Sequence, residues 1–369
     1  MTVRQQARSI RVPQVLRLIR SPEAAVQALS EFCQAASPQC LLIHSGDASG
    51  TGYGGTVARE AKRVGIDVDE CVVRRNDYAS VADAVAVIEA SNLDMVIGVG
   101  GGRVVDVAKL AAARCDLPYV AMPTQAASDG ICSPVAVIVR MDGRPESVAA
   151  RIPAAVIVDM DVLGQAPLES WRSGLGDLVS NLSAVLDWRT AEEQAGEEVD
   201  DFACLTAEAA ALSVVRDDAD LTDPSYQQLL VRGLILSGIA MEMAGSSRPA
   251  SGSEHLISHA LDRMLDQPRA HGLQVALATV ATAVLRGAPV RDLIRFYRGV
   301  GLPVSPSDLC ISVDAFLAAL DAAPSTRPGR WTMLDRVTAR ERAELKAWYA
   351  SDAASGDEPR RRTSLGPTC

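Results

Sequence analysis

The first 160 residues alternate between two periodicities and the remainder keeps to one. That contrast restricts the fold more than any other feature of the chain. Short apolar runs at 40–44 (CLLIH), 68–73, 95–99 (MVIGV), 119–122, 135–139 and 155–158 read as strands. Segments with helical spacing at 22–36, after 52 to about 63, at 81–90 and at 104–114 separate most of them. Strands that alternate with helices of about ten residues predict a mostly parallel sheet with helices on both faces. After Asp159 the strand pattern stops. Segments 168–187, 203–214, 225–245, 252–266, 270–286, 289–300, 312–322 and 338–350 carry helical periodicity alone. The predicted architecture is an α/β domain over 1–160 and an all-α helical bundle over 161–350. A polar tail rich in Gly, Pro and Ser follows over 351–369 and is expected to be disordered.

Composition narrows the partners. The formal charge is −10, which argues against nucleic acid, because phosphate backbones call for clustered Lys and Arg. Small anions need only a local cationic or N–H-rich site and stay open. The segment MTVRQQARSIRVPQV has no apolar run of signal length, and no window approaches a membrane span. The eight cysteines have no CxxC pair and read as buried free thiols of a reducing compartment. A cytoplasmic protein with no membrane partner is expected.

The strand MVIGV runs directly into Gly100-Gly101-Gly102 and then RVVDVAK. Three glycines let the backbone approach a ligand, and the following helix presents free N–H groups and a positive dipole end. A pyrophosphate fits such a place. Asp106 is expected in the first turn of that helix. A second glycine cluster, Gly50-Thr51-Gly52-Tyr53-Gly54-Gly55, matches GxGxxG literally, with Asp67 and Asp69 at a plausible distance for a ribose contact. Several residues separate it from its strand, so it reads as a βα loop, near the adenosine end of a dinucleotide if it contacts one.

The chain has four histidines, and three of them, His255, His259 and His271, fall within one short stretch. His255 and His259 share a helix face, and His271 opens the next helix. Three or four donors from separate elements make a metal site, and Asp177, after the turn Gly174-Leu175-Gly176, is the best carboxylate candidate. A mixed N/O set suits Zn²⁺, Fe²⁺ or Ni²⁺.

Taken together, these segments resemble the sn-glycerol-1-phosphate dehydrogenases, within the iron-containing alcohol dehydrogenase and dehydroquinate synthase-like superfamily. The resemblance runs from about 38 to 350. It rests on GVGGGRVVDVAK, MPTQAASDGICSP, GLGDLVSNLSAVLDW, SGSEHLISHALD, HGLQVALAT and TRPGRWTMLDR. It implies a Rossmann-like NAD- or NADP-binding N-terminal domain, a helical metal- and substrate-binding domain, and a cleft between them. By position, Gly100, Gly101, Gly102, Asp106, Thr124 and Ser133 would contact the cofactor. Asp177, His255 and His271 would hold one divalent metal, with zinc the first choice. Asp129 and His259 would be the catalytic residues in contact with substrate, with His259 or a water delivering the proton, so His259 would not be a ligand.

Three positions depart from the family pattern: Ala127 replaces a usual serine, Cys132 a usual alanine, and Leu273 a frequent glutamate. They bear on the substrate. The implied reaction interconverts a small ketone and its alcohol, dihydroxyacetone phosphate and sn-glycerol 1-phosphate first. Rival readings are another polyol or phosphonate dehydrogenase, a dehydroquinate synthase-like cyclase, and a metal-binding protein without catalysis. A homo-oligomer is expected. Arg327, Arg330 and Arg336 could bind a substrate phosphate by residue type, with surface solvation the plainer role for each.

Overall fold

The structure is a computed structural model and describes residues 10–33, 38–46, 52–215 and 220–351. The N-terminal half is built on strands β1 (Val15–Ile19), β2 (Gln39–His44), β3 (Asp67–Val72), β4 (Met95–Gly100) and β5 (Tyr119–Pro123). A hairpin of β6 (Val135–Val139) and β7 (Pro145–Ala149) precedes β8 (Ala155–Asp159). Six strands form one sheet in the order β1-β8-β5-β4-β2-β3, with every pairing parallel, and the hairpin stands apart. Helices α1 (Pro22–Cys33), α2 (Tyr53–Arg63), α3 (Tyr78–Ala90) and α4 (Gly102–Arg114) cover its faces.

The central strands are apolar on both sides because both faces are covered. Leu42, Ile97, Val120 and Ile157 pack with residues of α1 and α2. Their neighbours Leu41, Val96, Ala121 and Val156 join a larger core with α3, α4 and the helical half. Two strands escaped sequence reading. β1 (VLRLI) is an edge strand with Arg17 at its centre, and β7 (PESVA) is solvent-exposed at alternate residues. Neither has a continuous apolar run to reveal it.

The strand order fixes where a ligand can enter. From β2 the chain runs out to β3, then returns to β4 on the other side of β2 and continues away through β5 and β8. Direction therefore reverses between β2 and β4. Loops leaving the two strands' carboxyl ends part there, and that opening is the usual ligand crevice of a parallel sheet. β4 ends there at Gly100.

Beyond β8 the described residues hold helices and no further strand. These are α5 (Met160–Leu163), α6 (Leu168–Val179), α7 (Asn181–Ala195), α8 (Asp201–Val214), α9 (Pro224–Ala244), α10 (Ser253–Met264), α11 (His271–Leu285), α12 (Arg291–Val300), α13 (Val313–Ala322) and α14 (Ala339–Ala350). The helix expected over 168–187 is two. Ser180 separates α6 from α7, and its hydroxyl donates back to the Asp177 carbonyl at 2.6 Å, a bond that competes with the helical ladder. α9 starts on an Asp223 cap with Pro224 in its first turn and stops at left-handed Gly245. No helix among the described residues is long and apolar enough to cross a membrane. Cys33, Cys40, Cys71, Cys115, Cys132 and Cys204 are free thiols. The tail expected to be disordered lies, from 352 onward, outside the described residues.

Candidate active site

The glycines after β4 serve different purposes. A Cβ on Gly100 would sit 2.8 Å from the Val104 side chain, and one on Gly98 would sit 2.8 Å from Ala108, so these two let α4 close onto the strand. Gly101 is the extended N-cap of α4 and offers no side chain to its free amides. At Gly102 an added Cβ would meet nothing within 4 Å, so open space adjoins the helix N-terminus. The Thr124 amide donates to the Gly100 carbonyl at 3.0 Å and lays the segment after β5 beside the loop. A cradle of small residues, free amides and open space at the sheet's switch point fits a dinucleotide pyrophosphate.

Asp106 lies in the second turn of α4, not the first, because the helix begins at Gly102. Its carboxylate is 3.7 Å from Lys109 Nζ and accepts from the Val137 amide, and burial pushes it up to about 6. Lys109 is fully buried. It donates to the Gly130 carbonyl at 2.8 Å, the Val135 carbonyl at 2.7 Å and Ser133 Oγ at 3.4 Å. Ser133 Oγ also donates to the Val135 carbonyl. Asp106 and Ser133 thus have internal partners, in a strut that fixes the turn at Asp129–Ile131.

The other glycine cluster falls partly outside the described residues, which omit Gly50 and Thr51. Gly54 and Gly55 belong to α2, and a Cβ on Gly54 would collide with His44, so Gly54 serves helix–strand packing. Asp67 and Asp69 lie in the amino-terminal half of β3, away from the edge where Gly100 emerges.

A second group of glycines assembles the histidine cluster. A Cβ on Gly176 would strike the Gly272 carbonyl, one on Gly272 the Ser173 carbonyl, and one on Gly174 the Ala126 carbonyl. Backbones of α6, α11 and the 126–129 segment therefore touch. This contact brings Asp177 against His271, the first residue of α11. His255 arrives from α10, and the three residues offer donor atoms that all lie within 4.8 Å of one another. Asp177 Oδ1 is 3.3 Å from His255 Nε2 and 3.6 Å from His271 Nε2. Donors at about 2.1 Å from a tetrahedral ion lie about 3.4 Å apart, so the spacing fits one divalent metal.

The remaining ring nitrogens are engaged as ligand histidines require. His255 Nδ1 is 3.1 Å from Glu254 Oε1, and His271 Nδ1 is 3.2 Å from Ser258 Oγ. Burial drives His255 down, yet Asp177 and Glu254 together outweigh it and hold its pKa up at about 9. His259 is outside this donor set, with its ring centroid 6.4 Å from that of His255 and 6.2 Å from that of His271. Burial, then the two other histidines, then Arg327, push its pKa well down.

Asp129 joins the two halves. Its amide donates to Asp177 Oδ2 at 2.9 Å, and its own Oδ2 accepts from Ser237 Oγ at 2.9 Å. Burial and the nearby Asp177 carboxylate push it up to about 7. Of the three departures, Ala127 contributes its carbonyl as acceptor for Ser173 Oγ at 2.8 Å. Ser128 Oγ is occupied as acceptor for the Gly130 amide. Cys132 and Leu273 are buried in the core.

Several supporting residues had no visible signal. Glu254 looked like one more charge on a helix, and its place beside a histidine is the only hint. Asp187, fully buried, pairs with Arg286 at 2.8 Å and accepts from the Ser253 amide at 2.6 Å and the Met333 amide at 2.9 Å. It pins the start of α10 to the 331–336 segment. The expectation of surface solvation holds for Arg336, which is exposed over the Trp331 ring. It fails for Arg327 and Arg330, which are partly buried and turned onto Ser247.

Comparison with known proteins agrees with this geometry. A family model described as iron-containing alcohol dehydrogenase matches residues 20–167. The glycerol-1-phosphate dehydrogenase [NAD(P)+] of Pyrococcus abyssi is 38% identical over 296 residues, covering 79% of this chain and 85% of that protein. The enzyme of the same name from Thermococcus sibiricus is 38% identical over 282 residues, covering 76% and 80%. In fold, the chain is similar to glycerol dehydrogenase from Schizosaccharomyces pombe, with a TM-score of 0.74 and 21% identity over 97% of this chain and 95% of that one. On identity sustained over most of its length, and over at least four fifths of the length of these relatives, the chain belongs to the glycerol-1-phosphate dehydrogenase family of the iron-containing alcohol dehydrogenase superfamily.

Proposed function

We propose that the protein reduces dihydroxyacetone phosphate to sn-glycerol 1-phosphate with NADH or NADPH. One divalent metal, zinc first and iron or nickel next, is held by Asp177, His255 and His271. One observation carries the reading. The segment from Thr124 to Asp129 bonds to the glycine loop at one end and to Asp177 at the other. A dinucleotide on the loop and a carbonyl at the cluster would share that segment as a common wall. The relatives are named as dehydrogenases of this substrate, and no observation favours the cyclase, another polyol or a non-catalytic role.

In this reading a nicotinamide bound at the glycine loop would supply the hydride, and a metal held by Asp177, His255 and His271 would polarise the carbonyl. Gly100, Gly101, Gly102 and the amides of α4 hold the pyrophosphate. Thr124 contacts the cofactor, whereas Asp106 and Ser133, expected from the sequence to contact it as well, hold the cofactor-side segments in place through their internal partners. Asp129 and His259 face the substrate. His259, kept neutral by burial, orients it by hydrogen bonding. Asp129, with a pKa near neutrality, is suited to hold the proton that the new hydroxyl takes. The enzyme works on a small molecule in the cytoplasm.

The test is NAD(P)H oxidation with dihydroxyacetone phosphate against a panel of unphosphorylated ketones, with Zn²⁺, Fe²⁺ and Ni²⁺ supplied in turn. The expected result is turnover with the phosphorylated ketone at far higher kcat/KM than with dihydroxyacetone. Equal or better turnover of an unphosphorylated ketone would reject the substrate.

A further inference from the structure

α10 begins without a capping side chain at its own N-cap. Gly252 stands there and offers nothing to the free amides of the first turn. Two carboxylates take those amides instead. Glu254, inside the helix, reaches back to the Gly252 amide at 2.6 Å. Asp187, on α7 and 66 residues away in sequence, accepts from the Ser253 amide at 2.6 Å. A Cβ on Gly252 would lie 2.6 Å from Asp187 Oδ2 and 3.1 Å from Glu254 Oε2, so glycine is what lets both carboxylates close on this turn. The other oxygen of Asp187 has two further donors. Oδ1 accepts from the Met333 amide at 2.9 Å and from Arg286 Nη2 at 2.8 Å. Asp187 is fully buried, as an ionised acceptor can be when several donors surround it. Arg286 is its counterion and Glu254 a neighbouring like charge, and the positive end of α10 offsets part of that repulsion.

The three attachments of this carboxylate all lead to the metal cluster or to its frame. Ser253 opens α10 and lies in the same first turn as His255, whose Nε2 is 3.3 Å from Asp177 Oδ1. Arg286 is the C-cap of α11, the helix that His271 opens. Met333 belongs to TRPGRWTMLDR, a segment distinctive in the sequence that supplies none of the cluster's donors. Asp187 shares the segment GLGDLVSNLSAVLDW with Asp177, so one stretch of chain contributes a candidate ligand from α6 and this hub from α7.

We propose that Asp187 is a positioning residue of the metal site: it sets the first turn of α10, and with it the place of His255 Nε2 relative to Asp177 and His271, while Arg286 and the 331–336 segment hold Asp187 itself. The proposal rests on the functional reading above, because it takes the cluster to be a metal site. Asp187 touches neither metal nor substrate and acts through His255. Asparagine keeps its size and loses the match. The amide group of an asparagine must face the Ser253 N–H on one side or the Met333 N–H and Arg286 on the other, and each of these is a donor. The turn that would shift to relieve that conflict carries a ligand, so the conflict is transmitted to the geometry of the metal.

The experiment compares the full-length wild type with Asp187→Asn and Arg286→Gln. Zn²⁺ affinity is measured by chelator competition, the visible spectrum is recorded with Co²⁺ in the site, and NADH affinity is measured by isothermal titration. Asp187→Asn should weaken Zn²⁺ binding about tenfold to a hundredfold, the usual range for a group that orients a ligand. Its Co²⁺ bands should shift, which a loss of stability alone would not produce, and NADH affinity should stay near wild type. Arg286→Gln leaves both backbone donors of Asp187 in place, so a several-fold weakening with a band shift in the same direction is expected. If Asp187→Asn fails to bind NADH and is therefore unfolded, Arg286→Gln decides on the same two metal readouts. Wild-type Zn²⁺ affinity and unshifted Co²⁺ bands in the folded variant overturn the positioning role alone. A wild type that binds no metal, or whose metal affinity is untouched by His255→Ala, overturns the metal-site reading, and the positioning role with it.

Discussion

His255, His259 and His271 look interchangeable in the sequence, and the structure separates them by a few ångströms. Replacing His255 or His271 with Ala removes one of three donors, and metal content by elemental analysis should fall sharply. His259→Ala should leave metal content near wild type and lower turnover or raise KM. If His259→Ala empties the site as His255→Ala does, His259 is a ligand and loses its assigned role. Glu254 supplies a subtler case. Its carboxylate turns the His255 ring by 3.1 Å contact with Nδ1. Glu254→Gln should weaken metal affinity by about tenfold to a hundredfold in a chelator competition, the usual effect of losing such a partner. Unchanged affinity would mean that ring orientation is set by packing alone. The histidines could be found from the sequence because histidine is rare in this chain. Glu254, Lys109 and Asp187 could not, because acidic and basic residues are common and only burial distinguishes these three.

At the scale of elements, glycine placement decides both halves of the site, and two substitutions should behave oppositely. Gly102 opens α4 beside empty space, so Gly102→Val should fold with a near-wild-type melting temperature and lose NADH binding in isothermal titration. Unchanged NADH affinity would remove the loop from the cofactor site. Gly272 sits where α11 meets α6, and its Cβ would strike the Ser173 carbonyl. Gly272→Ala should force the helices apart, cost about 1–3 kcal/mol or more as overpacking does, and reduce metal content because His271 and Asp177 separate. A wild-type melting temperature and full metal content would contradict that account. The GGG after β4 was legible because it follows a buried strand directly. The glycines of α6 and α11 were not, since a glycine inside a helix shows its purpose only through the partner backbone.

Across the whole molecule, the two halves carry separate tasks and meet at the 124–129 segment. The sheet was legible because its central strands are apolar on both faces, while β1 and β7 bury too little to stand out. The site between the halves depends on contacts distant in sequence, such as Asp129 with Asp177 and Ser237, and no local pattern encodes those. This division predicts an asymmetric response to metal removal. The three candidate ligands come from α6, α10 and α11, so an ion bound there would tie three helices of the C-terminal half together. Binding to the native state alone adds about 4 kcal/mol at a thousandfold excess of free metal over Kd. Chelation should therefore lower the thermal midpoint by several degrees in calorimetry, and returning the metal should restore it. The glycine loop draws its geometry from β4, α4 and Thr124, none of which contributes a ligand. NADH should then bind the metal-free protein with nearly its original dissociation constant while ketone reduction is lost. Loss of NADH binding together with the metal would show that the two halves form one cooperative site, and that the loop is not organised by its own sheet.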